Sequence, residues 1–66
     1  MSTNNSWWQQ YHEAIKISRL RQELYILLNG KQEVVNQLVS IEKHRHPGNL
    51  ESWYLNKVLH NLRQVA

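Results

Sequence analysis

The 66-residue chain has no cysteine, no phenylalanine, one proline and two glycines. Without cysteine it can form neither disulfides nor thiolate zinc sites, and it has no cysteine nucleophile. This absence fits a reducing compartment. The polar residues 1–6 do not follow the pattern of a secretory signal, a basic stretch followed by an apolar run. We therefore expect a cytoplasmic protein.

Long apolar runs are also missing. The longest is Ile26-Leu27-Leu28, far below the roughly 20 residues that cross a bilayer, so no membrane partner is expected. Sixty-six residues allow one domain, and a chain of this size buries only about 60% of its unfolded surface. Small domains without disulfides often gain stability by oligomerisation. We therefore expect the core to be completed by another chain.

Helical periodicity runs through the whole chain, and only Asn29-Gly30 and His46-Pro47-Gly48 interrupt it. The pattern predicts an all-α fold of three short helices, at about 7–28, 31–44 and 50–64, in an antiparallel bundle completed by oligomerisation. Ser6 and Asn49 are the predicted N-caps, and Gly30 is predicted to end the first helix. Residues 1–5 are predicted to be a disordered lead-in, and residues 6–66 a single helical domain.

The second and third helices each have one apolar stripe, counted at about 100° per residue. Both stripes predict core positions. On the second helix the stripe consists of Val34, Val35, Leu38, Val39 and Ile41, and on the third of Tyr54, Leu55, Val58, Leu62 and Val65.

The first helix differs because its two halves present apolar residues on different sides. Its C-terminal half carries a stripe made of Ile17, Leu20, Leu24 and Leu27. Its N-terminal half presents Trp8, Tyr11 and Ile15 on a side rotated by more than about 90°. The other two helices can cover one side, so these three residues are the candidate oligomer interface. The alternative is that the third helix bends across the first and covers both sides.

Residues that could carry catalysis or bind a metal are scattered. The five glutamates lie on three predicted helices, and the serines lack a nucleophile-elbow sequence. His44 and His46, with His12 or His60 as a third ligand, could bind a metal only if the helix end unwound, and no His-Glu-x-x-His motif is present. We predict no catalytic, metal or cofactor site, and a protein that is not an enzyme.

The basic stretch Lys43-His44-Arg45-His46 has two interpretations. Its cations could contact phosphate, or they could complement the dipole at the end of the second helix. The second interpretation is favoured, because it explains the same residues without a ligand. On the first helix, acids offset the cations at helical spacing, Glu13 with Lys16 and Arg19 with Glu23.

Trp53 lies on the polar side of the third helix, beside Asn56, His60 and Gln64. An exposed tryptophan often marks a contact point. Together with the basic stretch it defines a candidate partner surface, consisting of Lys43, His44, Arg45, His46, Trp53 and His60. Alternatively, Trp53 folds into the corner at Pro47-Gly48. An aromatic group of Trp7, Trp8, Tyr11, Trp53 and Tyr54 would then gather at one end of the bundle, beside His44 and His46.

These features favour a small helical protein-interaction module, an adaptor or regulator that acts as a homo-oligomer and has a protein partner. The alternative is a nucleic-acid-binding, helix-turn-helix-like regulator that uses helices two and three. In that case the segment 51–57 would enter the major groove. Glu51 would be repelled by the DNA phosphates, and only Lys43, Arg45 and Lys57 are placed to bind the DNA backbone.

Overall fold

A computed structural model describes residues 2–65, with side chains from Trp8 to Val65. It contains α1 (Ser2–Leu27), α2 (Gln32–Arg45) and α3 (Glu51–Val65). The predicted all-α class is therefore confirmed, and residues 2–65 include no strand. The bounds of α2 and α3 differ from the predicted ones by a single residue. The structure extends α1 back to Ser2, because residues 2–6 contain neither proline nor glycine to stop a helix.

The N-cap predicted at Ser6 is wrong, since α1 begins before it. The predicted disordered lead-in of residues 1–5 overlaps α1, which begins at Ser2, and Met1 lies outside the described residues. The three helices run up, down and up. Contacts at both ends of α3 fix this order, because Glu13 of α1 meets Ser52 and Glu23 of α1 meets Arg63. α1 and α3 are therefore parallel, and α2 runs against them.

The core lies where the three helices meet, and it follows most of the predicted stripes. Partly buried residues surround a fully buried cluster. The cluster consists of Leu24, Val35, Val39, Tyr54, Leu55, Val58 and Leu59, and the surrounding residues are Ile17, Leu20, Leu28, Leu38 and Leu62. Three core predictions are wrong, since Leu27, Ile41 and Val65 are exposed by 50%, 47% and 87%. Leu28 packs in place of Leu27, and Leu59 was missed.

Next to the exposed Ile41, α2 buries a charge. Glu42 is only 4% exposed. Its Oε2 accepts a hydrogen bond from Asn61 Nδ2 of α3 at 3.3 Å, and Arg45 Nη1 lies 3.8 Å from the same oxygen. His46 Nε2 lies 3.9 Å from Oε1, beyond hydrogen-bond distance, and Oε1 has no hydrogen-bond partner among the described residues. A buried carboxylate needs such partners, because burial without them is strongly unfavourable. The α2–α3 interface is therefore partly polar.

The turn from α1 to α2 closes the helix with two paired backbone bonds. Gly30 N–H donates to the Tyr25 carbonyl at 2.7 Å, and Asn29 N–H donates to that of Ile26 at 3.2 Å. This is the Schellman pattern, in which the left-handed residue follows the helix directly. Asn29 takes that position with φ 56°, and Gly30 follows with φ 78°. α1 therefore ends at Leu27, one residue before the predicted end at residue 28.

The corner between α2 and α3 is held by the hydroxyl of Tyr54. It donates to the His46 carbonyl at 2.6 Å and accepts from Asn49 N–H at 3.0 Å. Asn49 uses its side-chain Nδ2 to reach the same carbonyl, so the N-cap predicted at Asn49 is wrong. Glu13 of α1 supplies a cap instead, because its Oε2 accepts the Ser52 N–H at 3.2 Å.

Candidate functional site

The candidate oligomer interface lies on a helix that is longer than the bundle. α1 has 26 residues, about 39 Å, whereas α2 and α3 have 14 and 15, about 21–22 Å. Because Glu13 lies level with Ser52 at the start of α3, the eleven residues before Glu13 extend past α3 by about 16 Å. α1 therefore has a packed C-terminal half and a projecting N-terminal half.

The apolar side chains of the projecting half, and of Ile15 just after Glu13, face away from the core. Trp8 and Tyr11 are each 50% exposed, and Ile15 is 36% exposed. Counted along the helix, they lie roughly 170° away from the buried stripe around Leu24. The two rotated faces therefore exist as predicted. The alternative in which α3 covers both is wrong, because Trp8 and Tyr11 stay half exposed.

The exposed face of α1 continues beyond Ile15 at coiled-coil spacing. We call it the outer seam, and it consists of Trp8, Tyr11, Ile15, Ser18, Gln22 and Tyr25. The spacing of three and four residues alternates without a break and keeps all six within about 100° of arc. All six are exposed, including Tyr25 at 47%. Ile26, 66% exposed, flanks its far end. Sequence analysis found only the first half of this seam.

Among the described side chains, ring contacts occur at two places. Near the start of α1, Trp8 stacks on His12 with ring centres 4.9 Å apart, and Tyr11 lies 5.8 Å from Trp8. At the α2–α3 corner, Trp53 meets the rings of His46 at 5.4 Å and Tyr54 at 5.3 Å. Of the predicted aromatic group, Trp7 lies outside the described side chains.

The first basic residue of the candidate partner surface belongs to a network that joins all three helices. Lys43 Nζ of α2 lies 2.9 Å from Glu51 Oε1 of α3. Arg21 of α1 reaches Glu51 Oε2 at 3.0 Å and Asn36 Oδ1 at 3.2 Å. The hydrogen bond from Lys43 holds the pKa of Glu51 below its usual value, and Arg21 adds to the effect against partial burial. Sequence analysis missed this role of Glu51.

The other members of the candidate partner surface are spread over the corner and α3. His44 Nδ1 lies 2.9 Å from the Ser40 carbonyl, and Arg45 pairs with Glu42. His46 and Trp53 are in contact, and Trp53 is 39% exposed. His60 is exposed on α3, about 10 Å along the helix from Trp53. Trp53 thus matches both interpretations in part, since one side packs into the corner and the other faces solvent.

The described residues form an open groove beside α1. This groove, about 750 Å³, lies between the N-terminal half of α1 and Leu50. Its lining mixes Gln9, Gln10 and Glu13 with apolar residues such as Ile17.

The described residues contain no group of three or more His, Asp or Glu side chains that could hold a metal ion. None of the three helices, as far as described, is long and apolar enough to cross a membrane.

In the segment 51–57, considered above as a DNA recognition helix, most side chains already contact other parts of the fold. Glu51 pairs with Arg21 and Lys43, and the Ser52 N–H is bound by Glu13. Tyr54 is 4% exposed and holds the corner. A recognition helix needs several free side chains near its start, and this segment leaves mainly Trp53 and Asn56 exposed.

Comparison of the chain with protein-family models, curated proteins and solved structures found no match.

Proposed function

We propose that this protein is a small helical interaction module, an adaptor or regulator, that acts as a homo-oligomer assembled through the outer seam of α1. The observation that carries the proposal is the exposure of Trp8, Tyr11 and Ile15 on a helix that extends past its own bundle. Aromatic residues are enriched at protein interfaces, and exposed apolar patches mark interaction sites.

The electrostatics of the molecule favour this proposal over nucleic-acid binding. Lys43 and Arg21 are paired with Glu51, and Arg45 with Glu42. A nucleic-acid interface needs cations that are free to neutralise phosphates. Arg63 also pairs with Glu23, so four of the eight Lys and Arg residues form ion pairs with acids within the fold.

Self-association is tested by light scattering of the purified chain at micromolar concentration. We expect a mass of at least twice 8.0 kDa. Ile15→Ala should weaken assembly, since burying a large apolar side chain contributes about 1.5–3 kcal/mol. Ile41→Ala is the matched control, because Ile41 is similarly exposed, by 47%, but lies on α2. A folded monomer at this concentration would contradict the proposal.

A protein partner, in this proposal, docks beside the half-exposed Trp53 and the ring of His46. The experiment compares partner recovery by tagged wild type, Trp53→Ala and Arg45→Ala, with the melting temperature as a check on folding. Loss of the partner with an intact fold supports a contact at Trp53. Recovery that disappears after nuclease treatment would instead indicate a nucleic-acid partner.

A further inference from the structure

We infer that two copies of this chain pair antiparallel through the outer seam, so that Trp8 of each copy covers Tyr25 and Ile26 of the other. This arrangement rests on the proposed homo-oligomer and specifies its geometry. The first argument is the distribution of apolar residues along the seam. Trp8 and Tyr11 lie at one end and Tyr25 and Ile26 at the other, and the polar Ser18 and Gln22 lie between them.

Antiparallel pairing brings the apolar ends of the two seams into contact. With the twofold axis halfway between Trp8 and Tyr25, each aromatic end meets an apolar end. Tyr11 then lies opposite Gln22 of the second copy, and Ile15 opposite Ser18. Parallel pairing in register would place Gln22 opposite Gln22 and Ser18 opposite Ser18, polar against polar, and would crowd two Trp8 rings together. The alternating three-and-four spacing suits either direction, so the order of residues selects the antiparallel one.

The exposed area is sufficient for a stable dimer. Three aromatic side chains about half exposed, Trp8, Tyr11 and Tyr25, offer about 300 Å² per copy. Ile15 and Ile26 together add on the order of 100 Å², which gives about 800 Å² of apolar area for two copies. Since interfaces are about 57–65% apolar, the whole interface would bury about 1,300 Å². Stable protein–protein interfaces bury about 1,200–2,000 Å².

The lack of native cysteine allows a direct test with single thiols. Tyr11→Cys and Gln22→Cys are mixed under oxidising conditions and analysed by mass spectrometry, which separates the mixed disulfide from the two symmetric ones. Positions 11 and 22 of two copies lie opposite each other in the antiparallel pair. In a parallel pair they are eleven residues apart, about 16 Å, too far for a disulfide, whose Cα atoms lie within about 7 Å. We expect the mixed disulfide to predominate.

Light scattering separates the possible failures. A monomeric wild-type chain overturns both the proposed function and this pairing. A dimer that gives symmetric disulfides, or none, keeps the proposed function but overturns the antiparallel seam. Trp8→Ala and Tyr25→Ala provide a second measurement, and each should raise the dimer dissociation constant at least about tenfold. Lys16→Ala, off the seam, should change it by less than about threefold. Tyr25→Ala without effect would also overturn the pairing.

Discussion

The two halves of α1 belong to the same helix but have opposite relations to the fold. The packed half buries Leu24 completely and lines the core with Ile17 and Leu20. The projecting half keeps Trp8 and Tyr11 half exposed. Both halves have apolar stripes, so hydrophobicity alone does not determine burial. What separates them is the direction of the stripe relative to α2 and α3 and the short length of those helices.

The largest expected effect contrasts the buried side of α1 with its exposed side. Leu24→Ala should destabilise the fold by about 2–5 kcal/mol, because it removes a side chain with no exposed surface and leaves a cavity. Ile15→Ala should reduce the stability of the monomer by less than about 1 kcal/mol. Urea unfolding at low protein concentration measures both. Equal losses would show that Ile15 packs as tightly as Leu24.

A smaller effect concerns the turn where the packed half ends. Gly30→Val should destabilise by about 1–2 kcal/mol, because a β-branched residue resists positive φ. A Cβ at Gly30 would also lie 3.2 Å from the Tyr25 ring, whereas at Gly48, with φ 90°, no atom lies within 4 Å. Gly48→Val is therefore the matched control and should be the milder change in thermal unfolding. An unchanged melting temperature for Gly30→Val would indicate that α1 continues into α2.

Glu13 marks the boundary between the halves, and its loss should have a moderate effect. Glu13→Gln should lower the free energy of unfolding by about 0.5–1 kcal/mol, because the charged acceptor of the Ser52 N–H is lost. Glu23→Gln provides the comparison, since it removes only an exposed ion pair with Arg63, worth less than about 1 kcal/mol. If Glu13→Gln is the milder of the two variants, Glu13 does not cap α3.

The smallest effect tests how the packed half is tied to α2 and α3 through Glu51. Because its folded pKa lies below the reference value of 4.5, the ionised carboxylate stabilises the fold above that pH. This contribution is lost as the pH falls through the folded pKa. Wild type should therefore exceed Glu51→Gln in stability by at most about 1 kcal/mol at pH 7. The difference should shrink as the pH falls below 4.5, which chemical unfolding at several pH values can follow. A difference independent of pH would contradict this role of Glu51.

The sequence alone determined the helical class, the two turns and the rotation between the halves of α1. Each of these depends on local information. Asn29-Gly30 and Pro47-Gly48 interrupt the periodicity, and a step of about 100° per residue fixes which side chains share a face. For this reason the exposed positions of Trp8, Tyr11 and Ile15 could be predicted without knowing where the other helices lie.

The tertiary structure decided which residues meet across helices. Sequence analysis placed Ile41 in the core, but α3 brings Asn61 beside Glu42, and the carboxylate is buried instead. It paired Glu13 with Lys16, whereas the fold brings Glu13 to the backbone of α3. Helical periodicity specifies a face but not the partner that faces it. The partners are determined by how the helices pack against each other and by where each helix ends. Both depend on contacts between residues far apart in the chain.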